Sequence, residues 1–302
     1  MFNVNSRVGI YLLMLLVPLF WGGAFGSTKH VLTELPPLTV AAIRFLCAGL
    51  AMSLWAMWRK EWDWHQIRKS WLGLLGLGAV GIFGYNAFFN IGMQYTSAIN
   101  GALVIVINPV TTSMVAVLFL GERWSARQGL GALLSMTGVL IVITRGDLSA
   151  LLSLSLNKGE VILLGAVVAW TAYTSLAKIV MRRISPTMAT AVSMVTGGIG
   201  LLAASLSEKG WEKLPGISFQ VAAELIYLSI FASFIAFLLF NMGVREIGAG
   251  KASAYINLMP VNAVLIAALF YGEIVTWIHG LGMVFVMSGV YMTTRGPNGY
   301  KK

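Results

Sequence analysis

Residues 118–131 read LFLGERWSARQGLG, and residues 269–282 read LFYGEIVTWIHGLG. Both stretches carry the pattern L-F-x-G-E followed by G-L-G, at a constant offset of 151 residues. The same offset continues outside them, at the pairs Phe89/Phe240, Asn90/Asn241, Pro109/Pro260 and Gly138/Gly289. An ordered series of matches at one spacing is typical of an internal duplication, whereas chance supplies only isolated matches.

A second series of matches, at an offset of 149 residues, covers the earlier part of each copy. It pairs aromatic, cationic and proline positions: Trp21/Trp170, Lys29/Lys178, Pro37/Pro186, Lys60/Lys209 and Trp62/Trp211. Together the two series predict a first repeat over residues 1–146 and a second repeat over residues 147–302.

The composition is that of a membrane protein. Of the 302 residues, 58% are hydrophobic and 11% charged, and the mean hydropathy is +0.81. A soluble domain has about 45–50% apolar and about 25% charged residues, so a soluble enzyme and a disordered chain are excluded. The net charge of +10 does not indicate a nucleic-acid partner, because the basic residues lie between apolar runs rather than on one face. The lone Cys47 leaves no internal disulfide.

Ten apolar stretches are each long enough to cross the roughly 30 Å core of a lipid bilayer as a helix of about 20 residues. They cover residues 9–27, 38–58, 71–92, 97–119, 126–144, 159–181, 187–206, 220–241, 248–270 and 277–294. The first stretch is longer than a signal-peptide core and lacks a clear cleavage site, so we interpret it as a span. Short connections leave no separate soluble domain.

The distribution of Lys and Arg predicts the orientation. With a cytoplasmic N-terminus, the cytoplasmic connections hold 15 of these residues and the opposite side holds 5. Positive residues accumulate on the cytoplasmic side of membrane proteins. We therefore expect an even number of spans in the cytoplasmic (inner) membrane, with both termini in the cytoplasm.

Five spans in each repeat are an odd number, so the second repeat must enter the membrane from the opposite side. The predicted fold class is thus an all-α integral membrane protein, with ten transmembrane helices built as two inverted five-helix repeats. Many secondary transporters use this construction, because two halves that rock about a midplane site give alternating access. The alternatives are a membrane receptor or scaffold without translocation, and an intramembrane enzyme.

Further motifs give the chain a resemblance to a known family. They are a Trp in spans 1 and 6, the P-x-x-x-A-x-x-R-F run from Pro37 to Phe45, and a proline followed twelve residues later by G-E in spans 4 and 9. In this order and duplication, the whole chain resembles the EamA-type transporters of the drug/metabolite transporter superfamily. One departure is Ser193-Met194, where the first half has Arg44-Phe45. The resemblance implies a secondary carrier of amino acids or other small metabolites, more often an exporter than an importer.

Two glycine-rich motifs do not indicate nucleotide binding. Residues 76–81 fit G-x-G-x-x-G, but they lie inside a span and lack the acidic residue that a dinucleotide site needs, so helix packing is favoured. Residues 248–253 resemble the end of a phosphate loop, but Arg245 and Ala252 break the pattern. Without an ATP-binding motif, transport energy is expected to come from gradients.

The residues offer no constellation for catalysis. His30, His65 and His279 each lack a second ligand at metal-binding spacing. We find no Ser–His or Ser–Lys pair within the spans for nucleophilic chemistry. The chain is therefore predicted not to be an enzyme and to hold neither metal nor cofactor.

A substrate site is expected near the midplane, on helices interrupted by proline. The middles of spans 4 and 9 contain the breaks Pro109 and Pro260, with Asn108 and Asn257 close by. A buried amide in lipid needs a partner, so both asparagines should face the bundle interior. There they either contact substrate or form hydrogen bonds between helices.

Aromatic residues inside the spans complete the predicted site. Trp and Tyr usually collect at the membrane interfaces, but Trp170 lies near the centre of span 6 and Trp21 well inside span 1. The predicted substrate-binding residues are Trp21, Phe25, Tyr85, Asn86, Phe89, Asn108, Trp170, Tyr173, Tyr255 and Asn257. Such a pocket would stack an aromatic or cationic group, although each ring taken alone is also explained by packing.

Charged residues inside spans are functional candidates. Arg44 is the one charged residue well inside a span, and we favour a structural role for it, either snorkelling or pairing with a carbonyl or Glu34. Residues at span ends, namely Lys29, Lys178, Glu122 and Glu273, are expected to anchor and cap helices. No Asp or Glu lies at the midplane, which favours a neutral or zwitterionic small-molecule substrate. The residues specify no oligomeric state.

Overall fold

Helices form the regular structure of the residues that this computed structural model describes, which are 7–96, 101, 104–122, 125–144, 147, 157–271 and 276–295, and no β-strand occurs among them. The α-helices are α1 (Arg7–Leu13), α2 (Leu16–Val31), α3 (Pro37–Trp58), α4 (Trp64–Lys69), α5 (Trp71–Gly76), α6 (Tyr85–Tyr95), α7 (Asn108–Leu120), α8 (Ala126–Thr144), α9 (Lys158–Val180), α10 (Pro186–Ser205), α11 (Phe219–Tyr227), α12 (Ala236–Ile247), α13 (Ala249–Ala254), α14 (Met259–Tyr271) and α15 (Trp277–Thr294). Two π-helical segments join α5 to α6 and α11 to α12: Leu77–Gly84 and Leu228–Ile235. Short 3₁₀ turns occur at Leu206–Glu208, Gly210–Gly216 and Tyr255–Leu258.

Seven helical segments in the described ranges are long and apolar enough to cross a membrane. They are Gly9–Val31, Pro37–Trp58, Trp71–Tyr95, Ala126–Thr144, Lys158–Val180, Pro186–Glu208 and Phe219–Ile247. The predicted span at 97–119 contains α7, of 13 residues, and the one at 248–270 is divided into α13, a 3₁₀ turn and α14. The predicted span at 277–294 corresponds to α15. The all-helical, multispanning fold is confirmed, and the count of ten spans stays a prediction.

The two π-helical segments occupy equivalent places in the repeats. Leu77–Gly84 and Leu228–Ile235 are separated by 151 residues, the same offset as the sequence matches. A π-turn takes backbone carbonyls out of the usual hydrogen-bond pattern of an α-helix, so side chains can bond them. Asn86 Nδ2 donates to Ile82 O in the first segment at 2.9 Å. The duplication is therefore present in the backbone as well as in the sequence.

The packing of α8 on α15 shows a two-fold relation between the repeats. A Cβ on Gly131 would lie 2.7 Å from Gly289 O, and a Cβ on Gly138 would lie 2.6 Å from Gly282 O. The offset of 151 converts Gly131 into Gly282 and Gly138 into Gly289, so each contact is the image of the other. Reciprocal contacts of this kind define a two-fold interface. Since residue numbers rise along α8 as they fall along α15, these equivalent helices are antiparallel, as an inverted repeat requires.

The packing of α3 on α10 repeats the same relation. A Cβ on Gly49 would lie 3.0 Å from Val195 N, and a Cβ on Gly198 would lie 3.4 Å from Leu46 N. The offset of 149 exchanges the members of these two contacts. Small residues permit such close approach of helices in membranes, where apolar burial itself gives little gain. Two pairs of equivalent helices thus pack about one two-fold axis.

Equivalent lysines cap equivalent helices. Lys29 Nζ donates to Met93 O at 2.8 Å near the end of α6, and Lys178 Nζ donates to Val244 O at 3.0 Å near the end of α12. Met93 and Val244 are again 151 residues apart. A cation at a helix C-terminus satisfies free carbonyls and complements the helix dipole. These hydrogen bonds show the capping that was expected of both lysines.

Glu122 caps a helix of the other repeat. Its carboxylate accepts hydrogen bonds from Ala249 N at 2.8 Å and Gly250 N at 3.3 Å, at the beginning of α13. The preceding Gly248 has a φ of +98°, which only glycine adopts without strain. Glu122 thereby joins the end of α7 to the second repeat. Its predicted counterpart Glu273 lies outside the described residues.

Candidate functional site

Residues of both repeats form a cavity. Seven of the ten predicted substrate-binding residues line it: Trp21, Phe25, Tyr85, Asn86, Phe89, Asn108 and Trp170. The rest of its wall consists of residues that the sequence reasoning did not select: Ala24, Thr28, Arg44, Ile105, Phe237, Ile256 and Met259. A recess whose lining is mostly apolar with a few polar groups is typical of small-molecule sites.

Aromatic rings form the continuous part of this wall. The rings of Trp21 and Trp170 meet edge to face, with centroids 5.2 Å apart and an interplanar angle of 84°. Tyr85 lies 5.0 Å from Trp170 and stacks on Phe89 at 5.7 Å. Phe25 contacts Phe89 at 5.3 Å. These separations are those of favourable aromatic pairs, so each ring holds its neighbour in place.

Repeat-related positions line the cavity together. The lining contains four pairs at the repeat offsets: Trp21/Trp170, Asn86/Phe237, Ile105/Ile256 and Asn108/Met259. Residues related by the two-fold axis can line one cavity only if it lies on or close to that axis. The cavity is therefore the meeting place of the two halves.

The polar side chains of the cavity come almost entirely from the first repeat. Thr28, Arg44, Asn86 and Asn108 are all in that half, whereas the lining of the second half is apolar except for the Trp170 indole N–H. At two of the four symmetric pairs, the first repeat has an asparagine where the second has a phenylalanine or a methionine. The first repeat thus contributes polar groups among aromatic residues, whereas the second contributes an almost entirely apolar lining.

The two central tryptophans differ in their hydrogen bonds. Trp21 Nε1 donates to Ala232 O, in the second π-helical segment, at 2.8 Å. The residue of the first repeat that is equivalent to Ala232 is Gly81. The Gly81 carbonyl is approached not by an indole but by Asn86 Nδ2, at 3.5 Å. Trp170 Nε1 has no hydrogen-bond partner among the described residues. Equivalent indoles therefore differ, one being tied to the backbone and the other retaining a free donor.

Three lining residues carry a buried polar atom without a partner in the described part of the chain. These atoms are Thr28 Oγ1, Asn108 Oδ1 and Trp170 Nε1. Buried polar atoms are normally hydrogen-bonded, because an unmade bond costs about 1–3 kcal/mol. Unpaired donors and acceptors around one cavity are the groups that a polar ligand or water would satisfy.

Arg44 lines the cavity and makes one of the structural contacts that the sequence interpretation offered for it. Its Nε donates to Ser233 Oγ at 2.8 Å and to Leu228 O at 3.3 Å, in the second π-helical segment. Pairing with a carbonyl is therefore observed. Glu34 instead accepts a hydrogen bond from Ser218 N, and Arg44 is 5% exposed, which rules out snorkelling to the membrane surface. The sequence signal that could have identified Arg44 as a lining residue is its charge, which lies well inside a predicted span.

Tyr173, which was predicted to bind substrate, is not part of the cavity wall. Its ring packs on Trp170 with centroids 5.5 Å apart. Its hydroxyl donates to Asn241 Oδ1 at 3.1 Å, and Asn241 Nδ2 donates to Thr190 Oγ1 at 2.8 Å. The positions of the first repeat that are equivalent to Tyr173 and Thr190 are occupied by alanines, Ala24 and Ala41. The hydrogen-bond network therefore has no counterpart in the first repeat.

Tyr255 and Asn257 also lie outside the lining. Tyr255 Oη donates to Tyr11 O at 3.3 Å, and Asn257 Nδ2 donates to Ser135 Oγ at 2.7 Å. Asn257 therefore makes the bond between helices that was the alternative to substrate contact.

The helices are interrupted next to both predicted breaks, and residues at both interruptions line the cavity. Pro109 is the second residue of α7, and Pro260 is the second residue of α14, after the 3₁₀ turn Tyr255–Leu258. At these positions a proline costs no internal helix hydrogen bond, because its missing N–H would have no partner in the helix. The lining residues Asn108 and Ile256 lie at the two interruptions.

The charge of the cavity is positive. Its lining includes the guanidinium of Arg44 and contains no carboxylate. The described residues also contain no group of three or more His, Cys, Asp or Glu side chains that would hold a metal ion. The electrostatic field of the wall thus favours a ligand with a negatively charged group.

Comparisons with known proteins agree with this architecture. The model of the EamA-like transporter family matches the chain twice, over residues 8–144 and 157–295. The chain is 32% identical over 285 residues to "Uncharacterized transporter YyaM" of Bacillus subtilis (strain 168), covering 94% of this chain and 93% of that protein. It is 27% identical over 291 residues to an "Uncharacterized transporter" of Archaeoglobus fulgidus, covering 96% of this chain and 98% of that protein. A solved crystal structure that shares 16% identity matches with a TM-score of 0.77, over 96% of this chain and 98% of that chain, which shows a common fold.

The two family matches correspond to the two halves that the helix contacts relate by a two-fold axis. Together they account for most of the chain. The protein is therefore a multi-pass membrane protein of the EamA-like transporter family, within the drug/metabolite transporter superfamily.

Proposed function

We propose that the protein is a secondary transporter that moves small metabolites, namely amino acids or related amphiphilic compounds, through the cavity by alternating access. It acts in the cytoplasmic membrane as a gradient-driven exporter and performs no covalent chemistry on its substrate. The observation that carries this proposal is the position of the cavity between two inverted halves. A site on the axis that relates them is exposed alternately to each side when the halves rock.

The unequal walls of the cavity support an amphiphilic substrate. Polar groups of the first repeat offer hydrogen bonds, while Phe237, Ile256 and Met259 of the second repeat offer apolar and aromatic surface. A molecule with one polar end and one hydrocarbon end satisfies both walls at once. Binding of such a molecule removes the cost of the unpaired Asn108 and Trp170 atoms as well.

The test is counterflow in proteoliposomes. Vesicles are preloaded with one unlabelled compound from a panel of amino acids, their amides and related amines, and entry of the labelled compound is followed. We expect at least one panel member to accumulate transiently in protein-containing vesicles but not in empty ones. A binding protein without translocation, such as a receptor or scaffold, would give no accumulation for any compound that it binds.

A matched pair of variants tests whether the substrate passes through the cavity. Trp170→Ala removes an aromatic contact of the cavity, and counterflow should fall by about tenfold, since 1.4 kcal/mol of lost binding corresponds to that factor. Trp58→Ala serves as the control, because Trp58 is 73% exposed and does not line the cavity. It should stay within about twofold of the wild type at equal amounts of folded protein. Equal activity of the two variants would contradict a path through the cavity.

A further inference from the structure

Arg44 is a buried cation that has no carboxylate partner among the described residues. Its guanidinium carbon lies 5.1 Å from the centroid of the Phe45 ring. Both of its hydrogen bonds use Nε, and their acceptors, Ser233 Oγ and Leu228 O, are neutral. No ion pair to Arg44 occurs in the described part of the chain. Removing an unpaired charge from water is costly, so a charge of this kind inside a membrane usually serves a ligand or a pathway.

The guanidinium is held in a fixed position with its outer end unused. Bonding at Nε to the π-helical segment Leu228–Ile235 anchors the side chain and leaves the two Nη groups without a hydrogen bond to described residues. The Tyr85 ring lies 5.0 Å from that of Trp170. Both residues line the cavity together with Arg44.

We propose that Arg44 binds the carboxylate of the transported molecule through its Nη groups, so that the site selects amino acids and other small monocarboxylates over their amides and over amines. This inference rests on the proposed transport function. The planar guanidinium matches a carboxylate in a two-point hydrogen bond, and the free Trp170 Nε1–H supplies another donor on the same wall. The aromatic rings are left to contact the hydrocarbon part of the molecule.

The absence of a second cation across the axis fixes the orientation of the substrate. The residue of the second repeat that is equivalent to Arg44 is Ser193. Its hydroxyl donates a hydrogen bond within its own helix, to Thr190 O at 3.1 Å. A carboxylate is therefore attracted to the first-repeat side alone. The apolar end of the molecule then lies against the second repeat, where Phe237 and Met259 are found.

The competing explanation is that Arg44 only ties α3 to the second π-helical segment. Loss of such a tie would lower transport of every substrate in proportion. Loss of a carboxylate contact would lower transport of carboxylates and spare their amides. The ratio between a carboxylate and its amide, measured on one preparation, separates these roles and cancels differences in folded amount.

The experiment measures counterflow of L-phenylalanine and L-leucine, of their amides, and of phenethylamine and isoamylamine. For the wild type, we expect each transported amino acid to exceed its amide by about tenfold or more, because a buried donor left unpaired rejects the analogue. Arg44→Gln should bring this ratio close to one by lowering amino-acid transport selectively. Arg44→Lys, which keeps the charge but loses the planar fork, should give an intermediate ratio. Arg59→Gln is the matched control, since the Arg59 side chain is 55% exposed, and it should keep the wild-type ratio.

The possible outcomes are distinguishable. A wild-type ratio near one, which is measurable even if the variants do not fold, overturns the role of Arg44 while transport stands. A high ratio that persists in Arg44→Gln overturns it as well. If wild-type vesicles exchange no member of a wider metabolite panel, the proposed function fails, and the inference about Arg44 fails with it.

Discussion

Trp21 and Trp170 show how a single hydrogen bond makes duplicated residues different. Both indoles are buried, at 7% and 2% exposure, and their rings touch at the centre of the molecule. The indole N–H of Trp21 donates a hydrogen bond to Ala232 O, and that of Trp170 has no partner in the described chain. At the scale of the residue, therefore, the fold uses the N–H of one tryptophan and leaves that of the other unpaired among the described residues.

Replacing each tryptophan by phenylalanine tests this difference. Trp21→Phe leaves the Ala232 carbonyl without its donor, so it should lower the free energy of unfolding by about 1 kcal/mol more than Trp170→Phe. The measurement is unfolding in mixed detergent, followed by circular dichroism. Trp170→Phe should instead have its larger effect on counterflow. Equal losses of stability would show that the Trp21 hydrogen bond contributes nothing beyond packing.

Tyr173 allows a second test at this scale, because it was predicted as a site residue but lies in a buried network. Tyr173→Phe removes the hydroxyl that bonds Asn241, and leaving the amide short of a partner should cost about 1–3 kcal/mol of stability. Substrate preference should not change, since Tyr173 does not line the cavity. The control is Tyr291→Phe, at a residue 51% exposed. A shift in substrate preference without loss of stability would indicate that Tyr173 contacts the substrate, contrary to this prediction.

At the scale of the element, α8 and α15 depend on glycine for contact. In lipid, helices gain little from apolar burial and associate mainly through close packing. Gly131, Gly138, Gly282 and Gly289 bring the two backbones so near that an added methyl group at any of them would overlap the facing helix. Two of these residues, Gly131 and Gly282, are the second glycines of the two G-L-G motifs, which links that position of the motif to its physical cause.

Two alanine substitutions on α15 test the packing. A Cβ on Gly289 would lie 2.3 Å from Ser135 N, so Gly289→Ala should separate the helices and lower the free energy of unfolding by about 1–3 kcal/mol. Gly280→Ala is the matched control, because no described atom lies within 4 Å of that position. Its effect should be neutral or slightly stabilising, since alanine is the better helix former. Detergent unfolding of both variants checks this, and equal stabilities would contradict a packing role for Gly289.

At the scale of the whole molecule, the inverted relation of the halves ties topology to function. The antiparallel pairs α3/α10 and α8/α15 require equivalent helices to cross in opposite directions. We therefore expect an odd number of crossings in each half and both termini on one side of the membrane. The distribution of Lys and Arg, 15 against 5, predicts that this side is the cytoplasm.

Reporter fusions test the orientation. A tag active only in the cytoplasm, placed at either end of the chain, should give a signal in intact cells, and a periplasmic reporter at the same ends should give none. A fusion after Lys209, in the connection between α10 and α11, should behave in the opposite way. A periplasmic signal from one terminus would contradict an even number of spans.

The repeat and its glycines could be read from the sequence because they are local in the chain. A period of 151 residues is visible in any direct alignment of the halves, and the hydrophobic runs follow from the thickness of the bilayer. Seven of the ten predicted site residues line the cavity for a related reason: aromatic and amide side chains are costly at the membrane centre unless they face the bundle interior. Tyr255 and Asn257 satisfy the same rule by bonding other helices, so the rule did not separate them from the lining.

The sequence by itself therefore determined the membrane class, the duplication, the expected orientation and most of the aromatic wall. Only the tertiary structure decided which side chains share the cavity, because that depends on how α3 and the second π-helical segment approach each other. Arg44 illustrates the limit. Its position in the span favoured a structural role, and its hydrogen-bond acceptors, 184 and 189 residues away, hold it at the cavity wall. Which hydrogen bonds a buried charge finds is a property of the packed helices, because these acceptors belong to another helix, whereas the contact of Arg44 within α3 is with the Phe45 ring.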